Sequence, residues 1–210
     1  MAKRATPYGL KEVADVYFFP VGTSVSAAWD NTHKTVTLTS GTDANFIFDT
    51  LKVSNIEISS EEANATGGKG NAELISWSYG KEITLTMEDA VFNLSTLDLL
   101  FGGKGGTRDS SSNEQSIKIE PEGFNGYYKI VGSTYIRNKS TGVDEGFVFM
   151  IDKGKVNLGG TLTMEADGDP STFEMTVKAL KADDGSLIKF QRVGPTSAGT
   201  IDLDSNTQSV

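Results

Sequence analysis

The sequence predicts a mainly β protein: a β-sandwich or rolled antiparallel sheet with one short flanking α-helix. Three observations predict it. Apolar and polar residues alternate with period 2 in many separate segments, as strands with one packed face require. Only one stretch carries a clear apolar stripe at helical spacing. Glycine is abundant at 23 residues and proline scarce at 5, which fits many tight turns with few forced breaks.

The elements follow in chain order. Strands are predicted over Asp15–Phe19 and Thr35–Thr39, with a helical turn over Leu10–Ala14 before them. The run Phe46–Ser59 is long, and its phase slips near Val53–Ser54, where a bulge or strong bend is expected. Glu73–Tyr79 comes next, then Ile83-Thr84-Leu85-Thr86-Met87, which alternates without fault. The helix falls at Leu94–Phe101, where Leu94, Leu97, Leu100 and Phe101 share one face. Ser95 with Asp98 resembles a capping box, and Gly102 and Gly103 stop the helix. Strands resume at Ser116–Glu120, Tyr127–Tyr135 and Phe147–Ile151, the last apolar on both faces. Lys155–Leu158, Thr161–Glu165, Thr172–Lys178 and Leu187–Arg192 complete the set.

Two loops stand out, both polar and glycine-rich: Ser60–Asn71 and Gly102–Asn113. At about 12 residues, the first exceeds an ordinary hairpin connection, which points to a role or to mobility. Residues 1–194 are expected to form one β-rich domain. Residues 195–210 lack periodicity and read as a tail or arm.

A chain of 210 residues, 37% hydrophobic and 22% charged, suits one globular domain with a sizeable core. No run approaches the roughly 20 apolar residues of a membrane helix. Asp15 interrupts the first apolar stretch after the basic start, so no secretory signal is expected and folding in a cytoplasm is the plain reading. The absence of cysteine excludes disulfides and thiolate metal sites. A net charge of -9 argues against tight nucleic-acid binding, because acidic surfaces repel phosphate; it also serves solubility.

Residues that could carry chemistry give no catalytic, cofactor or metal assignment. His33 is the sole histidine and sits in the turn Asp30-Asn31-Thr32-His33-Lys34, so any Ser-His-Asp triad would depend on a turn residue. Gly-Gly-Lys-Gly occurs at residues 67–70 and 102–105, but Gly105 stands where a phosphate loop needs Ser or Thr. Asp167-Gly168-Asp169 opens like a calcium loop, yet Lys178 occupies the position of its final Glu. Asp183-Asp184-Gly185 reads as a hairpin turn. Trp29, Trp77 and most other aromatics are assigned to the core.

The segment from Ile56-Glu57-Ile58 through the polar loop to Leu74-Ile75-Ser76-Trp77-Ser78-Tyr79-Gly80-Lys81-Glu82-Ile83-Thr84-Leu85-Thr86-Met87-Glu88-Asp89-Ala90 and the Leu-rich helix resembles tail tube (major tail) proteins of tailed bacteriophages. It covers about a quarter of the chain. The resemblance implies a tail-tube-like fold and a structural virion protein, not an enzyme, with no cofactor. It implies hexameric rings that stack, with four strands per subunit joining into a barrel of about 24 strands around a DNA-conducting channel. The implied partners are further copies of the chain, tape-measure, tail terminator and baseplate proteins, and a sheath protein if the tail is contractile. DNA passes only in transit, no membrane is involved, and the implied location is the virion tail, assembled in the host bacterial cytoplasm.

On that reading Ser60, Glu61, Glu62, Asn64, Thr66, Gly67, Gly68, Lys69, Gly70 and Asn71 form an inter-ring assembly loop. By period 2, Glu82, Thr84, Thr86 and Glu88 share one strand face, and Thr172, Glu174, Thr176 and Lys178 share another. The barrel that the resemblance implies would place both polar faces on the lumen. The alternatives are another virion component, such as a capsid decoration or baseplate protein, and a carbohydrate-binding β-sandwich module, which would need an exposed aromatic platform.

Overall fold

The computed structural model describes residues 7–10, 14–67, 72–89, 126–157, 173–194 and 201–204. Twelve strands run through these residues: β1 Tyr8–Leu10, β2 Asp15–Pro20, β3 Val25–Asp30, β4 Thr35–Ser40, β5 Phe46–Phe48 and β6 Leu51–Gly67, then β7 Ala72–Asp89, β8 Tyr128–Asn138, β9 Asp144–Val156, β10 Phe173–Ala179, β11 Lys189–Val193 and β12 Ile201–Asp202. A nine-stranded sheet has the order β5-β2-β8-β9-β10-β7-β6, with β1 also on β8 and β11 also on β9. A three-stranded sheet has the order β12-β3-β4. The pairings are antiparallel.

The large sheet must roll. β5 and β6 stand at the two ends of its order, yet only Asp49 and Thr50 separate them in sequence. Three residue steps reach at most about 11 Å. Seven strands laid flat would hold the ends about 29 Å apart. The sheet therefore curls until its ends almost meet, and beside the junction Thr50 donates its hydroxyl to Asp89 Oδ1 of β7 at 2.7 Å. Phe18 of β2, Leu85 of β7, Ile130 of β8, Ile151 of β9 and Val177 of β10 fill the inside of the roll, each fully buried.

A second core lies between the outside of the roll and the small sheet. Val131, Val148 and Met150 meet Val25, Ala27, Val193 and Leu203 there. This explains why Phe147–Ile151 is apolar on both faces: Phe149 and Ile151 enter the first core, Val148 and Met150 the second. Gly132 is required by the same crowding. A Cβ on it would lie 2.0 Å from Phe149 Cε1.

Several expectations are revised. Glu73–Tyr79 and Ile83–Met87 belong to one strand, β7, and residues 147–151 and 155–156 to another, β9. Ser60 to Gly67 is strand, not loop. The slip expected near Val53–Ser54 falls between Leu51 and Val53. Tyr8–Leu10 is strand, so Leu10 does not begin a helical turn. Asp183-Asp184-Gly185 does turn, with Gly185 at φ 86°, but β10 and β11 both pair with β9 rather than with each other. The predicted helix at 94–101, the strands at 116–120 and 161–165, and the loop at 102–113 lie outside the described residues.

Candidate assembly surface

Strands β6 and β7 build the surface that the site residues occupy. Ile83, Leu85 and Met87 alternate into the core, so Glu82, Thr84, Thr86 and Glu88 point the other way and are half-buried. Their neighbours continue the polar face. On one side stand Ser59, Glu57, Asn55 and Val53 of β6. On the other stand Lys178, opposite Thr84, Thr176, opposite Thr86, and Glu174, opposite Glu88. Lys178 Nζ and Glu82 Oε1 pair at 2.7 Å. Glu88 and Glu174 oppose like charges, which is tolerable only where water or a partner screens them. Thr172 lies outside the described residues.

Beyond this face the hairpin leaves the body. β10 pairs with β7 only from Thr84 to Asp89. Residues 61–67 of β6 and 72–79 of β7 pair with each other, making an arm on the order of 20 Å long. A bulge marks the departure: Ser59 pairs with Glu82 and Glu61 with Tyr79, so Ser60 alone faces Gly80 and Lys81. Gly80 accommodates this with φ at 62°.

The extra residue resets the alternation of β7. Below the bulge its odd-numbered residues enter the core. Above it Ile75, Trp77 and Tyr79 pair with Ala65, Ala63 and Glu61. On β6, these three partners share the side of Glu57 and Ser59, opposite Ile56 and Ile58. The stripe Ile75-Trp77-Tyr79 therefore continues the polar face of the body. Ile75 is 53% exposed, Trp77 54% and Tyr79 51%.

Trp77 is thus not a core residue, against the sequence expectation. Trp29 does pack inward, against the second core, at a 42° tilt to Tyr135. Of the assembly-loop residues, Ser60, Glu61, Glu62, Asn64, Thr66 and Gly67 lie on β6; Gly68, Lys69, Gly70 and Asn71 lie outside the described residues, as do residues 102–105 and 167–169. Ile75 and Tyr79 were missed. Their signal was the alternation Ile-Ser-Trp-Ser-Tyr opposite a strand that offers only Ala65, Ala63 and Glu61 to pack beneath them.

The outer side of β6 carries no partner strand among the described residues. Among the described residues its seventeen residues pair on one side only, and a strand edge of that kind is a template for pairing with another chain.

The other candidates resolve simply. His33 Nδ1 and Asp30 Oδ2 pair at 2.6 Å in an exposed turn. The hydrogen bond to Asp30 raises the His33 pKa, and the same bond holds Asp30 down at about 2. A chain of charges crosses the body: Asp184, Lys189, Asp152, Lys129, Asp204. Lys189 holds Asp184 well below the usual carboxylate range. Burial would lower Lys189, but Asp152 and Asp184, each at 2.8 Å, raise it. Among the described residues no three His, Asp or Glu side chains stand together as a metal site, and no helix is long and apolar enough to cross a membrane.

Comparison with known proteins gives one family. The model of the YomU/Tube protein family matches residues 8–104 and 107–193. No curated protein matches the chain.

Proposed function

We propose, from the premise that the chain belongs to the YomU/Tube protein family, a phage tail tube family, that it is the subunit of a self-assembled tail tube. The observation that carries this reading is the β6–β7 hairpin. Its arm holds three large apolar side chains more than half exposed on one face, and an isolated two-stranded hairpin is marginal in water. Another copy is the natural cover. The open edge of β6 supplies the second contact, because strands joined across a ring lose their exposed edges.

In this reading the subunits form hexameric rings that stack, and the arm, residues 61–67 and 72–79, reaches a neighbouring ring. The polar face of Glu82, Thr84, Thr86, Glu88, Glu174, Thr176 and Lys178 is wet by the lumen. Repeated around a ring, its carboxylates give DNA in transit an acidic wall to slide past. Tape-measure, terminator and baseplate proteins would meet the tube's ends and interior, and the working place is the virion tail. The role is structural and no catalytic residue is assigned.

Trp77 and Tyr79 also form an exposed aromatic pair, which is what the carbohydrate-binding reading requires. Electron microscopy of the concentrated protein decides the main question. Hollow tubes with a constant axial repeat are expected. A persistent monomer that binds glycans through Trp77 would replace the tube reading.

A further inference from the structure

Strand β12 is short, yet it is held by every kind of contact that strand addition uses. Ile201 and Asp202 pair with Ala27 and Ser26 of β3. Leu203 donates its N–H to Val25 O at 3.0 Å, and its side chain is buried in the second core. Asp204 divides its carboxylate: Oδ2 accepts the Val25 N–H at 3.0 Å and Oδ1 accepts from Lys129 Nζ.

Lys129 is 2% exposed. Its other partners are Thr23 O at 2.8 Å and, more distantly, Asp152 at 3.5 Å. A buried ammonium needs a close anion, since losing its partner leaves an uncompensated charge. Backbone pairing, an apolar socket and a charge-matched side chain together make a recognition groove.

We infer that the β3 edge, the second core and Lys129 form a peptide-binding groove for an extended segment bearing Leu followed by Asp. Residues 201–204 of the same chain fill it, guarding that edge against pairing with other copies. The inference rests on the self-assembly reading and adds its control. Without β12, Val25 and Ala27 would offer free backbone groups along β3, and a free edge pairs with whatever strand it meets. A subunit with two competent edges associates in two geometries, and mixed contacts do not close into rings. Filling the groove leaves β6, at seventeen residues far longer than the other end strands β4 and β5, to direct association. The guard is selective because Leu203 needs its socket and Asp204 needs Lys129.

The test uses the full chain carrying Lys129→Met or, separately, Leu203→Ala. Hydrogen exchange at the Val25 and Ala27 amides should rise at least tenfold in both variants, while the Val131 and Val148 amides hold within about twofold. At concentrations where wild-type protein stays unassociated or forms regular polymer, both variants should form irregular aggregates. A synthetic peptide of residues 200–206 should suppress those of Leu203→Ala but not those of Lys129→Met. Unchanged exchange at Val25 and Ala27, a uniform rise across all amides, or regular assembly by the opened variants overturns the inference. Absence of tubes from wild-type protein counts against the tube role alone, because the exchange and peptide readouts do not depend on tubes.

Discussion

Removing the arm's aromatic stripe should disable assembly without harming the fold. The perturbation is Trp77→Ala with Tyr79→Ala. Both side chains are about half exposed in the subunit. A large aromatic presents roughly 200 Å², so a partner covering each would remove about 100 Å² from water. At about 25 cal/mol per Å² each is worth about 2.5 kcal/mol of association, and the pair about 5 kcal/mol if their contributions add. Each 1.4 kcal/mol is about tenfold, so the concentration needed for assembly should rise on the order of a thousandfold. Cross-strand packing lost within the arm is small, since Ala63 and Glu61 stand opposite. The melting temperature should therefore hold within a few degrees. Sedimentation across a concentration series measures the threshold, and thermal unfolding monitors the fold. Assembly at the wild-type threshold by a variant that folds normally would refute the argument.

Three further outcomes are expected. Gly132→Ala should destabilise the subunit by about 1–3 kcal/mol by chemical denaturation, because the new methyl meets the buried Phe149 ring. His33 should titrate above its ordinary 6.5 by NMR and return towards it in Asp30→Asn. Because its folded pKa is raised, the His33 contribution to stability is complete below 6.5 and lost as pH rises through the folded pKa. Asp30, held at about 2, contributes above its ordinary 3.8 and loses that contribution as pH falls through about 2. Finally, Glu82→Lys with Glu174→Lys should leave the fold intact, since both side chains lie on the polar face, and should slow DNA ejection most at low salt. Normal ejection by that variant at low salt removes the lumen assignment.

Alternation revealed most of the body, because a strand with one buried face must repeat every second residue. It made β7 and β10 readable, and the doubly apolar Phe147–Ile151 pointed to a strand buried on two sides. The β6 half of the arm was illegible for the same reason. Residues 60–67 bury neither face within the subunit, so no period was imposed on them and they read as loop. Residues 80–82 fell between two predicted strands, whereas the chain uses Gly80 to shift register and continue. Val25–Asp30 was hidden by Ala27-Ala28, which carry little β signal of their own. Lys129 was visible as the one charge within the run Tyr127–Val131, but the anion it serves lies at residue 204, a pairing no local pattern reveals.

The rolled sheet also dictates an order of events in time. β6 and β7 are neighbours in sequence and can zip as soon as both have been made. β2 can meet β5 early but gains its other neighbour only with β8, since Asp15 pairs with Ser133, and the first core stays unsealed until β10 lies between β7 and β9. Long-range pairings of this kind are slow to form. A nascent chain therefore carries its sticky hairpin well before it owns a body. Crowded ribosomes on one message would bring such hairpins together early, so the spacing and pace of synthesis become part of making a well-formed subunit.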